Sequence, residues 1–597
     1  MIDTKSPAHH SLLAETSFHV KSMLLMAKRR LRNVLDPDIK KFSDQGKLIT
    51  ADIISVSESE LWNADDNKQN WVLTAGKVQN LRIAAQKLKG LEVPGGQVFS
   101  FWKHIGNPNF NQGYVVGREI REGCIVPTVA GGLCQLSNAL YDAALNAGFE
   151  ILERHRHSRI IKGSLAEKDR DATVKWNYID LRFRARTSFR IEAELSSEKL
   201  IVKFRSYGGM RNSENSNAAG KPASVLNDCY SCGNSDCFRH PGITPVKKEE
   251  EVTTFILDEK WKEYDQYIQS TAKKHDHFIV PLLKNSILKS ARYAWNIPDT
   301  KNATAVPMQV LKRSVNSRLF AKSGGNVFST MLRMDEKMAN AFSKKIPIES
   351  THLVVSQNLL PFLMANGALG GRTYDVLMNR LPMEKLHERL NLAHSKYRES
   401  KTLNDFRAGA QLVELETLAL ARSRRIITPH REIAAIFNNK SIQLNWSYPV
   451  KKGLRETPKG NKILFPGSAL GRKGAYEMKK LAEELHLSFL ITGKAEEDKN
   501  FWGNVKTEIA GPHPFDQVWL VIYPAYVENQ PRLLLKAIAA GLPVIATEAC
   551  GLQPMLNLTI VPTGDYNALK KAVTDALIRP GQPELSTDEV QIGNIAI

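Results

Sequence analysis

No stretch of this sequence approaches the ~20 consecutive apolar residues that cross a bilayer. The longest apolar run near the start, Met23-Leu24-Leu25-Met26-Ala27, is too short for the core of a signal peptide, and acidic residues and histidines precede it. Those two lacks predict a cytoplasmic protein. Cysteine is scarce, with six in 597 residues, which excludes a disulfide framework. Motifs that read nucleic acid are missing and the basic residues are spread along the chain, so nucleic acid is not expected as a partner. No internal repeat is visible beyond an alternation of strand-like and helix-like segments.

What is present is ordinary for globular domains: 42% hydrophobic and 24% charged residues. A chain this long exceeds a single core and predicts roughly four domains. The formal net charge of +20 favours anionic partners such as phosphates, nucleotides or acidic lipid surfaces. Ser17 to Leu35 reads as a basic amphipathic helix, with Phe18, Val20, Met23, Leu24, Leu31 and Val34 on one side and Lys21, Lys28, Arg29, Arg30 and Arg32 supplying charge. Such a helix either faces a core or lies on an anionic membrane as a peripheral contact.

The local patterns divide the chain. Residues 70–206 mix helices with short antiparallel strands: a helix over Leu81–Leu88, a strand over Val98–Trp102, a helix from about Cys134 to Ala147, a strand over Glu150–His155, then hairpins over 173–206. Residues 207–226 are rich in Gly, Asn and Ser and read as a linker. From about residue 252, apolar runs alternate with helical segments. The runs include Thr254–Leu257, Leu353–Val355, Asp375–Met378, Arg425–Ile427, Lys462–Phe465, Leu487–Ile491, Val518–Ile522 and Pro543–Ala546. The helices between them include 407–423, 474–485, 531–540 and 566–578. This alternation predicts parallel sheets with helical crossovers. The expected organisation is an α+β domain over 1–206, a linker over 207–250, α/β domains over 251–445 and 446–580, and a tail over 581–597.

The first chemical constellation is Gly131-Gly132-Leu133-Cys134-Gln135. Two glycines followed by a cysteine at a helix start put a thiol where the helix dipole favours thiolate. Downstream, a predicted strand ends in His155-Arg156-His157, and alternate residues of a strand share a face. A thiol with a neighbouring imidazole suits nucleophilic catalysis, with Asp171 or Asp180 to orient the histidine. The alternative is a buried free thiol beside hydrogen-bonded core histidines. Cys134, His155 and His157 are the candidate catalytic residues.

Several blocks here resemble the VanW family. They are Lys77–Arg82, Pro94–Phe101, Gly131–Tyr141, Glu153–Ser158, Asp171–Val174 and Asp180–Phe183. The most specific is Gly131–Ser137 followed by Glu153-Arg154-His155. The resemblance spans roughly residues 70–206. The family usually carries three glycines before its Cys-Gln pair, and Ala130 holds the first place here. The resemblance implies a bacterial protein and names a domain without fixing its chemistry.

The second constellation is Cys229-x2-Cys232-x4-Cys237-x2-His240. Three thiolates and one imidazole suit a closed tetrahedral zinc site, and half of all the cysteines fall in this window. An iron–sulfur centre, or a chance cluster of reduced thiols, is the alternative. A zinc with no open position would be structural.

The third is Phe465-Pro466-Gly467-Ser468-Ala469-Leu470-Gly471-Arg472-Lys473-Gly474, which follows a strand and opens a helix. Glycines admit a ligand to the backbone, while the helix start and two cations favour phosphate. Tyr523–Arg532 and Ala537–Thr547 then resemble the sugar-nucleotide-binding domain of GT-B glycosyltransferases. Ala421–Ile436 resembles the end of that fold's first Rossmann-like domain. The resemblance covers about 250–580 and is best after 460. It implies two Rossmann-like domains, with Gly467, Arg472, Lys473 and Glu528 contacting a nucleotide-sugar donor. Two departures stand out. Lys536 occupies the place of a second glutamate, which usually holds the ribose, and Ser468 replaces a common arginine. Arg532 offers a substitute phosphate contact. Ser323–Asn326 and Gly367–Arg372 are candidate loops on the acceptor side, or plain turns.

Three functions follow as expectations. One is glycosyl transfer from a nucleotide donor to an acceptor the sequence does not name. Another is a non-catalytic scaffold on a degenerate GT-B fold. The third is a thiol-dependent hydrolase or acyl transferase using Cys134.

Overall fold

Strands form where side chains alternate between core and solvent, and Lys199–Ser206 alternates half-buried and buried residues along its full length. A computed structural model describes residues 24, 27–31, 33, 36–62, 68–121, 124–157, 165–208, 252–288, 290–297, 300–311, 313, 327–449 and 460–578. Backbone contacts divide the chain into two units. The first comprises Met1–Val252 with Pro347–His352 and Asn366–Thr373, and the second holds the remainder.

The first unit is an antiparallel α+β structure. A four-stranded sheet runs in the order Asp52–Glu60, Lys199–Ser206, Phe189–Leu195, Leu91–Val93. A three-stranded sheet places Arg182–Arg184 between Val98–Ser100 and Glu150–Glu153, and a hairpin joins Val116–Arg121 to Cys124–Val129. Two helices, Lys68–Leu88 and Leu133–Asn146, cover the core. Phe149, Phe183, Phe189 and Phe204 pack ring against ring there, with centroids 4.7 to 6.1 Å apart.

Two strands end earlier than their sequence pattern predicts. Val98–Trp102 stops at Ser100, whose hydroxyl accepts from the Lys103 N–H and caps the short helix Phe101–Ile105. Glu150–His155 stops at Glu153, and the chain beyond is irregular.

The second unit holds two parallel sheets of seven and six strands. The first runs Ala303–Ala305, His277–Val280, Thr253–Ile256, His352–Ser356, Thr373–Leu377, Arg425–Thr428, Ser441–Gln443. The second runs Thr507–Ile509, Phe489–Ile491, Lys462–Phe465, Val518–Tyr523, Val544–Thr547, Leu558–Val561. Every apolar run named above overlaps one of these strands. Val518–Tyr523 is buried at every position, as a central strand covered on both faces must be. The predicted fold class, an α+β region followed by two Rossmann-like domains, is the one observed.

The Cys229, Cys232, Cys237 and His240 cluster, most of the basic segment 17–35, the loop Ser323–Asn326 and the tail from 579 lie outside the described residues. Among the described residues no group of histidine, cysteine and carboxylate side chains has the arrangement of a metal site. No helix among them is long and apolar enough to cross a membrane.

Candidate functional site

The helix Leu133–Asn146 buries Leu136, Ala139, Leu140, Ala143 and Ala144 on one face, the spacing of an amphipathic helix. That burial fixes its N-terminus, and with it Cys134. The entry to the helix is tight. Gly132 adopts φ +100°, and a Cβ there would stand 2.1 Å from the Lys77 Cγ. Gly131 lies against the hairpin strand Val116–Arg121, where a Cβ would meet the Gly117 carbonyl oxygen at 2.5 Å. Ala130 is also in the left-handed region, at φ +60°. Asn80 ties the turn down by donating to the carbonyls of Gly131 and Val115, each at 3.0 Å.

Cys134 is half-buried, with its sulfur 3.6 Å from Thr173 Oγ1 and 3.7 Å from the Val174 carbonyl. The His157 imidazole lines the same cavity as that sulfur and lies within range of its charge. On its other side, His157 Nδ1 donates to Asp171 Oδ1 at 2.5 Å, and the His157 N–H donates to Asp171 Oδ2 at 2.6 Å. Asp171 is buried and the imidazole keeps 23% of its side-chain surface. Burial works against the charged imidazolium, but the hydrogen bond to Asp171 and the neighbouring Cys134, with their charges, overcome it and lift the pKa to about 10. Asp171 thus holds His157 by two hydrogen bonds, and His157 and Cys134 face one cavity.

The other candidates of this region fall elsewhere. His155 is half-exposed and lies 3.6 Å from Glu153. Because the strand ends at Glu153, the alternation that would have put both histidines on one face does not reach them. Asp180 accepts from Ser100 Oγ, the Trp102 N–H and Arg182 Nε, so it anchors the start of the short helix.

Cys134 and His157 open on a cavity of about 660 Å³, with Trp102, Trp176, Arg118 and Lys175 among its walls. Three supports escaped the sequence reading. Lys77 is buried and donates to the Leu61 carbonyl at 2.7 Å and to Gln135 Oε1 at 3.0 Å. Gln135 donates in turn to Ser59 Oγ and the Glu60 carbonyl. Arg154 Nε donates to the Asp171 carbonyl at 2.7 Å and so fixes the segment that carries the carboxylate. Lys77, Gln135 and Arg154 all sit in the blocks that carry the VanW resemblance, which was the available signal.

In the second unit the glycine-rich loop packs on itself. Gly474 adopts φ +80°, and a Cβ there would lie 2.2 Å from the Pro524 carbonyl oxygen. Gly467 sits against the rings of Phe465 and Tyr523. Lys473 donates to Glu528 Oε2 at 2.7 Å, and Tyr523 donates its hydroxyl to the same oxygen at 2.7 Å. Burial pushes the Glu528 carboxyl up, but Lys473 more than offsets it and the pKa stays below the ordinary value. Burial also lowers Arg472, whose guanidinium lies 4.7 Å from the Phe406 ring centroid. The Gly471 N–H is already bonded at 2.6 Å to Glu497, a buried carboxylate that also accepts from Ser400 and Thr402. Arg532 points to a different partner, forming two 2.7 Å bonds with the buried Glu263. Gly367–Arg372 is a turn region in the first unit, with the Arg372 guanidinium bonded to the carbonyls of Pro347, Ser350 and Ala368.

Residues 76–205 match the family model described as VanW like protein, and that stretch is a VanW domain. It is 33% identical over 132 residues to the vancomycin B-type resistance protein VanW of Enterococcus faecalis, covering 21% of this chain and 47% of that one. It is 29% identical over 130 residues to the uncharacterized protein YoaR of Bacillus subtilis, covering 22% of this chain and 39% of that one. The chain therefore spans about half or less of the length of these curated relatives. Among solved structures, a sucrose-phosphate synthase of Thermosynechococcus elongatus aligns at 12% identity and TM-score 0.32, over 55% of this chain and 90% of its own. Anabaena HepE in complex with UDP aligns at 9% identity and TM-score 0.31, over 55% and 90%.

Proposed function

We propose that the VanW domain is a thiol-dependent acyl transferase or hydrolase. The observation that carries this reading is Cys134 at a helix start sharing a cavity with His157, which the buried Asp171 holds by two hydrogen bonds. The Cys134 thiolate attacks a carbonyl carbon, the C–S bond forms and the carbonyl electron pair moves to oxygen. First-turn N–H groups of the helix Leu133–Asn146 have no acceptor within the helix, and they stabilise that oxyanion. The intermediate collapses, the bond to the leaving amine or alcohol breaks, and His157 supplies its proton. A water or amine then attacks the thioester carbon. His157 takes its proton, and the thiolate leaves. Asp171 holds the imidazole so that its other nitrogen faces the sulfur throughout.

The test is turnover of a panel of amide and ester substrates by the full chain, with trapping of the acyl-enzyme by intact mass. Wild type should accumulate a mass adduct on Cys134, and Cys134→Ala should show neither adduct nor turnover. Equal turnover by the two proteins would remove the proposal.

For the second unit we propose a glycosyltransferase-type site taking a nucleotide-sugar donor. The paired Lys473 and Glu528 at the loop after Lys462–Phe465 support it. A donor diphosphate would displace Glu528 as the partner of Lys473. A nucleotide at about a hundred times its Kd should stabilise the fold by about 2.7 kcal/mol, which a thermal-shift titration reads directly. No shift with any nucleotide or nucleotide sugar would favour a binding scaffold. We also propose a structural zinc at Cys229, Cys232, Cys237 and His240, and less than about one zinc per chain after mild purification would exclude it.

A further inference from the structure

The second unit contains a cavity of about 720 Å³ that is separate from the glycine-rich loop, since neither Gly467, Arg472 nor Lys473 lines it. Its walls come from the start of the helix Lys262–Thr271 and from the helix Arg532–Ala539, with Lys284 and Pro449 closing the sides. Two of its cations are already neutralised. Lys260 pairs with Asp265 at 3.1 Å, and Arg532 with Glu263. Lys262, Lys284 and Lys536 also line it, and none of the three has a carboxylate within ion-pair distance among the described residues. Like charges gathered around one space repel one another, and a multivalent anion between them removes that cost.

A second observation points the same way. Trp261 lines the cavity and is only 4% exposed, yet its indole N–H has no acceptor among the described residues. Buried donors are nearly always satisfied, so an unmet one marks the place of an absent acceptor. The ring cannot swing away to find one. It stacks on Tyr264 at 5.3 Å and on Trp446 at 6.0 Å, with the Arg532 guanidinium 5.8 Å from its centroid.

We propose that this cavity binds a diphosphate group, with Lys262, Lys284 and Lys536 on its oxygens and the Trp261 N–H completing the set. The inference concerns a cavity that the glycine-rich loop does not line, and it does not rest on the acyl-transfer or zinc readings. It also gives Lys536 a use: a cation at this position serves an anion, where a glutamate would repel it. Leu535, Ala291 and Ala294 add an apolar wall for whatever carries the group.

The experiment is calorimetric titration of the full chain with inorganic pyrophosphate and, separately, with uridine diphosphate. Lys284 and Lys536 are exposed, so the double variant Lys284→Glu/Lys536→Glu should fold normally. It should bind pyrophosphate at least about tenfold more weakly, since two favourable charge contacts are reversed. Trp261→Phe keeps the ring and loses the donor, and should weaken binding by roughly three- to tenfold. Lys571→Ala, which removes an exposed lysine that does not line the cavity, should leave pyrophosphate affinity unchanged. Tighter binding of uridine diphosphate than of pyrophosphate, still lost in the double variant, would identify a nucleotide as the carrier. Equal binding would indicate the free anion. The proposal is overturned if pyrophosphate does not bind at millimolar concentration, or if Lys473→Ala abolishes binding while the double variant retains it.

Discussion

At the residue scale, the account rests on which histidine serves Cys134. His157 is held by the buried Asp171 and shares a cavity with Cys134, whereas His155 does not line that cavity, so their substitutions should separate sharply. His157→Ala should lower acyl-transfer kcat by about 10²-fold or more, the usual worth of a positioned acid–base group. His155→Ala should stay within about twofold, because its side chain reaches only Glu153 at 3.6 Å. The His157 pKa also sets a pH dependence. Its folded value of about 10 lies above the reference value of 6.5. The stabilisation from its charged partners is therefore complete below about pH 6.5 and fades as pH rises through about 10. Transfer to a poor leaving group should fall over the upper part of that window, as the imidazolium proton is lost. Asp171→Asn should bring the His157 titration, followed by NMR, back down and move that fall with it. The cysteine and both histidines were legible in the sequence. Choosing between His155 and His157 was not, because the choice depends on a strand ending at Glu153. That end is set by tertiary contacts which no local pattern records.

At the element scale, the turn before the helix Leu133–Asn146 is under the heaviest steric demand. Gly132→Ala places a methyl 2.1 Å from the Lys77 Cγ at φ +100°, and should cost about 2 kcal/mol or more in chemical denaturation. Ala130 is the converse case. A non-glycine residue in the left-handed region costs about 1–2 kcal/mol, part of which glycine returns as unfolded-state entropy. Ala130→Gly should therefore stabilise the domain by up to about 1 kcal/mol in chemical denaturation. Strand and helix identities in the second unit were readable because parallel strands buried on both faces give short continuous apolar runs. Short elements of the first unit were less so. Ser100 ends a strand and caps a helix at once, and a caps-or-strand decision at one residue needs the partner Asp180 to resolve it.

At the scale of the whole molecule, the charge of +20 is used locally as well as globally. The glycine-rich loop, the natural place to look for a phosphate site, has Lys473 paired with Glu528 and the Gly471 N–H bonded to Glu497. Lys262, Lys284 and Lys536, which have no carboxylate within ion-pair distance among the described residues, line the cavity beside Trp261. Sequence reasoning placed Arg532 at a phosphate, but its two bonds to buried Glu263 make it a strut between the chain segments that carry the seven- and six-stranded sheets. Glu263→Ala should destabilise the second unit by about 1–3 kcal/mol. The value is below that of a fully buried pair because the guanidinium keeps 30% of its surface in water. Nothing in the local sequence around either residue shows this pairing, which joins positions 269 residues apart.

The central claim is that Cys134 is a nucleophile activated by His157. The most direct test is the rate of Cys134 alkylation by iodoacetamide as a function of pH, read by peptide mass in wild type and His157→Ala. Activation by His157 predicts alkylation at neutral pH at least about tenfold faster in wild type than in His157→Ala. Equal rates for the two proteins across the pH range would contradict it.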